Sequence, residues 1–105
     1  MVNVQEILEK GIELGASDVH LVEGVKPIFR INRDLVEMEN AEILSKDDMF
    51  DVYSFFVKDD ENMKKYIETE KRIDINYDVN EIRLRVNISF SNGVPVFTAR
   101  RLTPL

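Results

Sequence analysis

Cysteine and tryptophan are absent from this 105-residue chain, and histidine occurs once, at His20. Without cysteine there is no disulfide framework, no thiolate zinc site and no Cys-based triad, which fits an intracellular address. Only four glycines occur (Gly11, Gly15, Gly24 and Gly93), and their spacing forms no G-x-x-x-x-G-K-[ST] phosphate loop. No apolar run approaches the length that spans a bilayer. Glu6, Glu9 and Lys10 interrupt the first ten residues, where a signal peptide needs an apolar core. Low-complexity linkers and internal repeats are also missing. At this length, with 44% apolar and 32% charged residues, the sequence describes one folded domain with a single core.

A further scarcity is local. From Ile82 to Leu105 there is no Asp or Glu, yet four arginines stand there: Arg83, Arg85, Arg100 and Arg101. The other residues carry ten basic side chains against all 20 acidic ones, so a chain of net charge −6 concentrates guanidinium on its last segment. An anionic partner suits such a cluster, because the planar fork of arginine matches phosphate or carboxylate. The plainer alternative is a carboxylate on a neighbouring strand that neutralises it. The acidic overall balance argues against nucleic-acid binding, which leaves a basic footprint.

That last segment reads as a hairpin. Asn92-Gly93 is a favoured pair for a two-residue turn with φ > 0 at both positions. Counting outwards sets Ser91 opposite Val94, Ile88 opposite Phe97, Val86 opposite Ala99 and Arg85 opposite Arg100. Leu84, Val86, Ile88 and Phe90 then share one face, with Arg83, Arg85, Asn87 and Ser89 on the other. Placing two arginines directly opposite one another is destabilising in itself.

Upstream, Val4, Ile7, Leu8, Gly11, Ile12 and Gly15 keep helical spacing, with Asn3 as N-cap and Gly15 as the C′ stop. Residues 17–22 read as a strand with Val19 and Leu21 on one face, Asp18 and His20 on the other. Residues 24–27 are a loop. Strands at 28–31 and 35–38 form a second hairpin, joined by Asn32-Arg33-Asp34. Ser45-x-x-Asp48 resembles a capping box and opens a helix over 46–57. Asp59 or Asp60 starts a shorter helix with Met63, Tyr66 and Ile67 as its apolar members, and residues 72–77 alternate as a strand. The pattern predicts an α+β fold, an antiparallel sheet of about six strands with helices packed on one side.

Catalytic chemistry is harder to find. Asp47, Asp48, Asp51, Asp59, Asp60 and Glu61 fall on helix surfaces, helix N-termini and loops, where acids are commonly solvated or complement the dipole. His20 is the one candidate switch or general base, and on a half-buried strand it reads as a hydrogen-bonded structural residue. The residues alone describe a soluble domain with an arginine-rich final hairpin. They supply no catalytic set and no metal ligands.

Four stretches taken together resemble the N-terminal domain of the PilT-like type IV pilus retraction ATPases, a branch of the secretion ATPase superfamily. They are Gly15-Ala16-Ser17-Asp18-Val19-His20-Leu21, like the family's G-A-S-D-[LV]-H-L; Gly24-x-x-Pro27-x-x-Arg30; Arg83-Leu84-Arg85-Val86-Asn87; and Arg101-Leu102-Thr103-Pro104. The match runs in order from about residue 2 to 105. It departs at Asn32-Arg33-Asp34, where the family usually has glycine, and the final hairpin is shorter than the family's.

The resemblance implies a PAS-like fold spanning 1–105, followed after Leu105 by a RecA-like ATPase domain that carries the nucleotide loop. It implies ATP and Mg²⁺ as ligands of the full-length protein, with no catalytic residue in this stretch. As partners it implies that RecA-like domain, neighbouring subunits of a homohexamer and the inner-membrane platform of the pilus. The implied location is cytoplasmic, peripheral at the inner face of the membrane. By position, Arg85 is the phosphate-facing arginine. A second one is Arg101 by its spacing to Pro104, or Arg100 by the hairpin register; a one-residue bulge would bring the two readings together. The alternatives are a stand-alone PAS-like sensor, which needs an apolar interior pocket, and a structural interaction domain. A motor domain instead needs its arginines exposed towards a partner.

Overall fold

In the computed structural model, which describes residues 2–102, three helices lie against one face of a six-stranded antiparallel sheet. Thr103, Pro104 and Leu105 lie outside the described residues, and with them the end of the fourth motif.

Helix α1 (Val4–Glu13) starts where the Asn3 side chain accepts the Glu6 N–H at 3.0 Å. It ends at Gly15, φ +76°, where the Gly15 and Ala16 N–H groups return to the carbonyls of Ile12 and Gly11. That is the paired closure of a Schellman motif, which a Cβ would strain. Val4, Ile7, Leu8 and Gly11 are the buried side of the helix. Gly11 lets it come close to the sheet, since a Cβ there would stand 2.9 Å from Val19 Cγ2 and 3.3 Å from the Phe29 ring.

The chain then runs β1 (Asp18–Leu21), β2 (Ile28–Ile31), β3 (Asp34–Glu37), α2 (Lys46–Val57), α3 (Glu61–Glu70), β4 (Ile73–Val79), β5 (Ile82–Ser91) and β6 (Val94–Arg101). Sheet order is β3-β2-β1-β6-β5-β4, which sets β1 beside β6 at the centre. The reciprocal Ser45/Asp48 capping box forms at α2, and Asp60 caps α3 through the Met63 N–H. Met49, Val52, Phe56 and Val57 of α2 and Ile67 of α3 join Val19, Phe29, Val86, Ile88 and Phe97 in one core. Rings of Phe56 and Tyr77 meet edge-on at 5.5 Å, and the Tyr77 hydroxyl donates to Gln5 Oε1 at 3.0 Å, tying β4 to α1. Tyr66, read from spacing as an apolar member of α3, is exposed. A ring with a polar tip at the edge of a short helix loses little by facing water.

Three two-residue turns close the hairpins, at Asn32-Arg33, Asn80-Glu81 and Asn92-Gly93, and both residues of each have positive φ. Asp34 is therefore not part of a three-residue turn; it pairs with Ile31 as the first residue of β3. Asparagine leads every turn because its short amide tolerates the left-handed region. Glycine follows it only once. Glu81 holds φ +68° without that freedom, so Glu81→Gly is expected to raise stability by about 0.5–1 kcal/mol, measured as a higher urea midpoint.

Candidate functional site

The helices cover one face of the sheet, and the other carries most of the polar residues of the strands. Cross-strand pairing sets Leu35, Arg30, Asp18, Arg100, Arg85 and Asn76 in one row from β3 to β4. The adjacent row includes Ile28, His20, Thr98, Asn87 and Asp74. Three guanidinium groups thus share a row with one carboxylate.

That carboxylate is buried. Asp18 is 5% exposed and is the one buried charged side chain among the described residues. Its Oδ1 accepts the Arg100 Nε–H at 2.9 Å, its Oδ2 accepts the Ser17 hydroxyl at 3.1 Å, and Arg30 Nε stands 3.7 Å from Oδ2. Burial works against its charge, but hydrogen bonds from Arg100 and Ser17, with the charges of Arg100 and His20, hold its carboxyl below the ordinary value of 3.8. A depressed value in the folded state means stability that is present above the unfolded pKa and is lost as pH falls through the folded one. Asp18→Asn is therefore expected to cost about 1–2 kcal/mol at pH 7, since the exposed guanidinium partner is screened. That difference should shrink as the pH falls below about 4, and urea midpoints of both proteins at pH 7 and pH 3 would check it.

The four hairpin arginines are not equivalent. Arg83 is held by Asp78 through two bonds, Nε to Oδ1 at 2.9 Å and Nη2 to Oδ2 at 3.2 Å. Arg100 engages Asp18 through Nε while its side chain stays 71% exposed. Among the described residues its terminal nitrogens make no hydrogen bond. Arg85 is exposed, with Arg100 opposite it on one side and Asn76 on the other. Among the described residues it has no ion-pair partner. Asp74, the carboxylate that a structural reading would assign to it, instead accepts from Asn87 Nδ2 at 2.9 Å.

Arg101 lies on the opposite, helix-covered face, beside Leu84. Its Nη2 donates to the Ile12 carbonyl at 3.4 Å near the C-terminal end of α1, where a cation complements the helix dipole. Its Nε is buried without a partner. Pairing between β5 and β6 runs unbroken from Ser91↔Val94 to Leu84↔Arg101. The one-residue bulge that would have merged the two candidate positions does not form, because nothing interrupts the ladder. Arg85 and Arg100 are brought together; Arg101 is not.

His20 sits half-buried on the polar face, with Nδ1 3.5 Å from the Thr98 hydroxyl. Among the described residues no cluster of three or more His, Asp or Glu could hold a metal ion. A surface groove of about 330 Å³ opens at the N-terminal end of α1, and beside Ile7, Met38 and Leu44 it presents Glu6, Glu42 and Asp48. No helix among the described residues is long and apolar enough to cross a membrane.

Spacing alone did not reveal the roles of Asp18 and Arg30. Both stand inside the stretches that carried the family resemblance, and the sheet brings Asp18, Arg30 and Arg85 of three of those stretches into one row with Arg100. Chemically, the row offers two adjacent guanidinium groups on an open surface, only one of them compensated. Guanidinium forks placed in this way have the geometry to pair with the oxygens of an anion.

No family model matches the chain, and no curated protein does either. Solved structures do match. The crystal structure of the pilus retraction motor PilT with bound ADP covers 100% of this chain with TM-score 0.84 and 26% sequence identity. Two structures of the ATPase DotB show the same fold. That from Legionella pneumophila covers 92% of the chain, at TM-score 0.74 and 24% identity. That from Yersinia pseudotuberculosis covers 96%, at TM-score 0.75 and 16% identity. The chain spans only 30%, 27% and 30% of these three proteins. Its six-stranded sheet and three helices match the N-terminal domain of PilT-like ATPases, in agreement with the resemblance read from the motifs.

Proposed function

We propose that this chain is the N-terminal domain of a hexameric ATPase motor of type IV pilus retraction, and that Arg85 and Arg100 face the phosphates of ATP bound by a RecA-like domain after Leu105. The observation that carries this reading is the pair itself. Two guanidinium groups lie directly opposite each other on the open sheet face, one with no carboxylate partner among the described residues, in a fold like that of a motor whose structure holds ADP.

Such a pair is costly in isolation, because like charges repel across a strand pair. It becomes favourable when a polyphosphate lies between them, each fork taking two oxygens. The RecA-like domain supplies the nucleotide loop and the Mg²⁺ site, and this domain closes over the phosphates. Arg101 is left out of the pair by its place under α1. Closure between neighbouring subunits couples turnover to movement of the ring, which works at the cytoplasmic face of the inner membrane against the pilus platform. The pilus assignment follows PilT rather than DotB on the larger share of identical residues.

The first test is the coding sequence downstream, which should encode a G-x-x-x-x-G-K-[ST] loop. Residues 1–105 alone should show no ATP hydrolysis and at most weak binding, because arginines without a cradle of backbone N–H groups give isolated contacts. Tight, Mg²⁺-dependent ATP binding by the isolated chain in calorimetry would overturn the proposal.

A further inference from the structure

Arg100 is joined to Asp18 through Nε alone, and this edge-on contact has a functional meaning. A guanidinium held by its terminal pair would have its fork filled by the carboxylate. Held by Nε at 2.9 Å, with the side chain 71% exposed, it keeps both terminal nitrogens for another anion. The carboxylate is itself fixed from two further directions, by the Ser17 hydroxyl at 3.1 Å and by Arg30 at 3.7 Å. Its burial between β2 and β6 leaves it little freedom to turn. Arg85 has no such brace.

We infer that Asp18 is a positioning residue for Arg100: it holds the guanidinium by its inner nitrogen, so that the outer fork stays aimed at a phosphate beside Arg85. The inference rests on the reading of Arg85 and Arg100 as phosphate-facing. Asp18 also offsets one positive charge, which allows two guanidinium groups to stand opposite one another before any nucleotide arrives. It therefore trades some attraction for phosphate against orientation of the fork.

The test is a set of variants of the full-length protein, assayed with ATP after a melting curve has shown each to be folded. Asp18→Ala should lower kcat about tenfold through loss of orientation. KM for ATP should stay level or fall, because the site becomes more positive. Asp18→Asn, which keeps an acceptor for Nε, should fall between wild type and Asp18→Ala. In an Arg100→Ala background neither Asp18 variant should reduce kcat further.

The decisive comparison uses Arg100→Lys. A single ammonium cannot hold carboxylate and phosphate as a fork does. Arg100→Lys should then match Arg100→Ala while Asp18 is present and regain activity when combined with Asp18→Asn. Should Asp18 variants prove unfolded, Ser17→Ala removes one bond to the carboxylate from an exposed position. It should lower kcat about twofold, and only with Arg100 present.

An equal loss from the Asp18 or Ser17 variants with and without Arg100, or no recovery in the Arg100→Lys pair, overturns the inference. If instead Arg85→Ala and Arg100→Ala both leave turnover unchanged, the phosphate-facing reading fails and the inference with it. The two failures are thus told apart by the single arginine variants.

Discussion

Arg85→Ala in the full-length protein is expected to lower ATP turnover by a factor on the order of 10³, the loss that follows removal of an arginine contact to a transferring phosphoryl group. Its effect on stability should stay below about 0.5 kcal/mol, because an exposed charge with no ion-pair partner among the described residues contributes little to the fold. Arg85→Lys should recover only part of the rate, since an ammonium keeps the charge and loses the bidentate fork. A structural salt bridge predicts the reverse: a lower melting temperature with near-normal turnover. Among the described residues that rival finds no carboxylate, because Asn76 stands across from Arg85 and Asp74 is bonded to Asn87. Turnover and melting temperature measured on one variant separate the two accounts.

Phe29→Ala is expected to be the most damaging substitution for the fold itself. The ring is 0% exposed, lies on β2 and touches the space that Gly11 leaves open between α1 and the sheet. Removing it leaves a cavity that close-packed neighbours fill only in part, a loss of about 3–5 kcal/mol. For a domain of this size that lowers the melting temperature by roughly 15–30 °C. A loss of less than about 1 kcal/mol in urea unfolding would mean that α1 can settle onto the sheet and close the gap, so that Gly11 does not set its approach.

The final hairpin was legible because two local signals agree. Asn92-Gly93 fixes the turn, and alternation from Leu84 to Phe90 fixes the face, so every pair counted outwards from the turn is found. Helix boundaries were legible where a side chain caps them, at Asn3, Ser45 and Asp60. The turn at Asn80-Glu81 has no glycine to announce φ > 0 and was not read as a turn, whereas Asn32-Arg33, equally without glycine, showed itself by the short strands on either side. The bond between Asp18 and Arg100 joins residues 82 positions apart, and only the placement of β1 beside β6 brings them together. Arg100 and Arg101 differ by one residue in sequence and by a whole face in the sheet, and counting to a downstream proline cannot separate them. Alternation along an unbroken strand does.

The seat of β1 between β2 and β6 also bears on how the chain acquires its shape. As synthesis proceeds, α1 and the first three strands leave the ribosome long before β6 exists. Until then the inner edge of β1, with its row of unpaired N–H and C=O groups, has no neighbour, and such edges invite pairing with other chains. Pairings this distant in sequence close slowly, so the β1–β2–β3 meander waits while α2, α3, β4 and β5 are made. A released chain cut before Val94 would therefore hold two pieces of sheet, β3-β2-β1 and β5-β4, with the gap at the middle rather than at the rim.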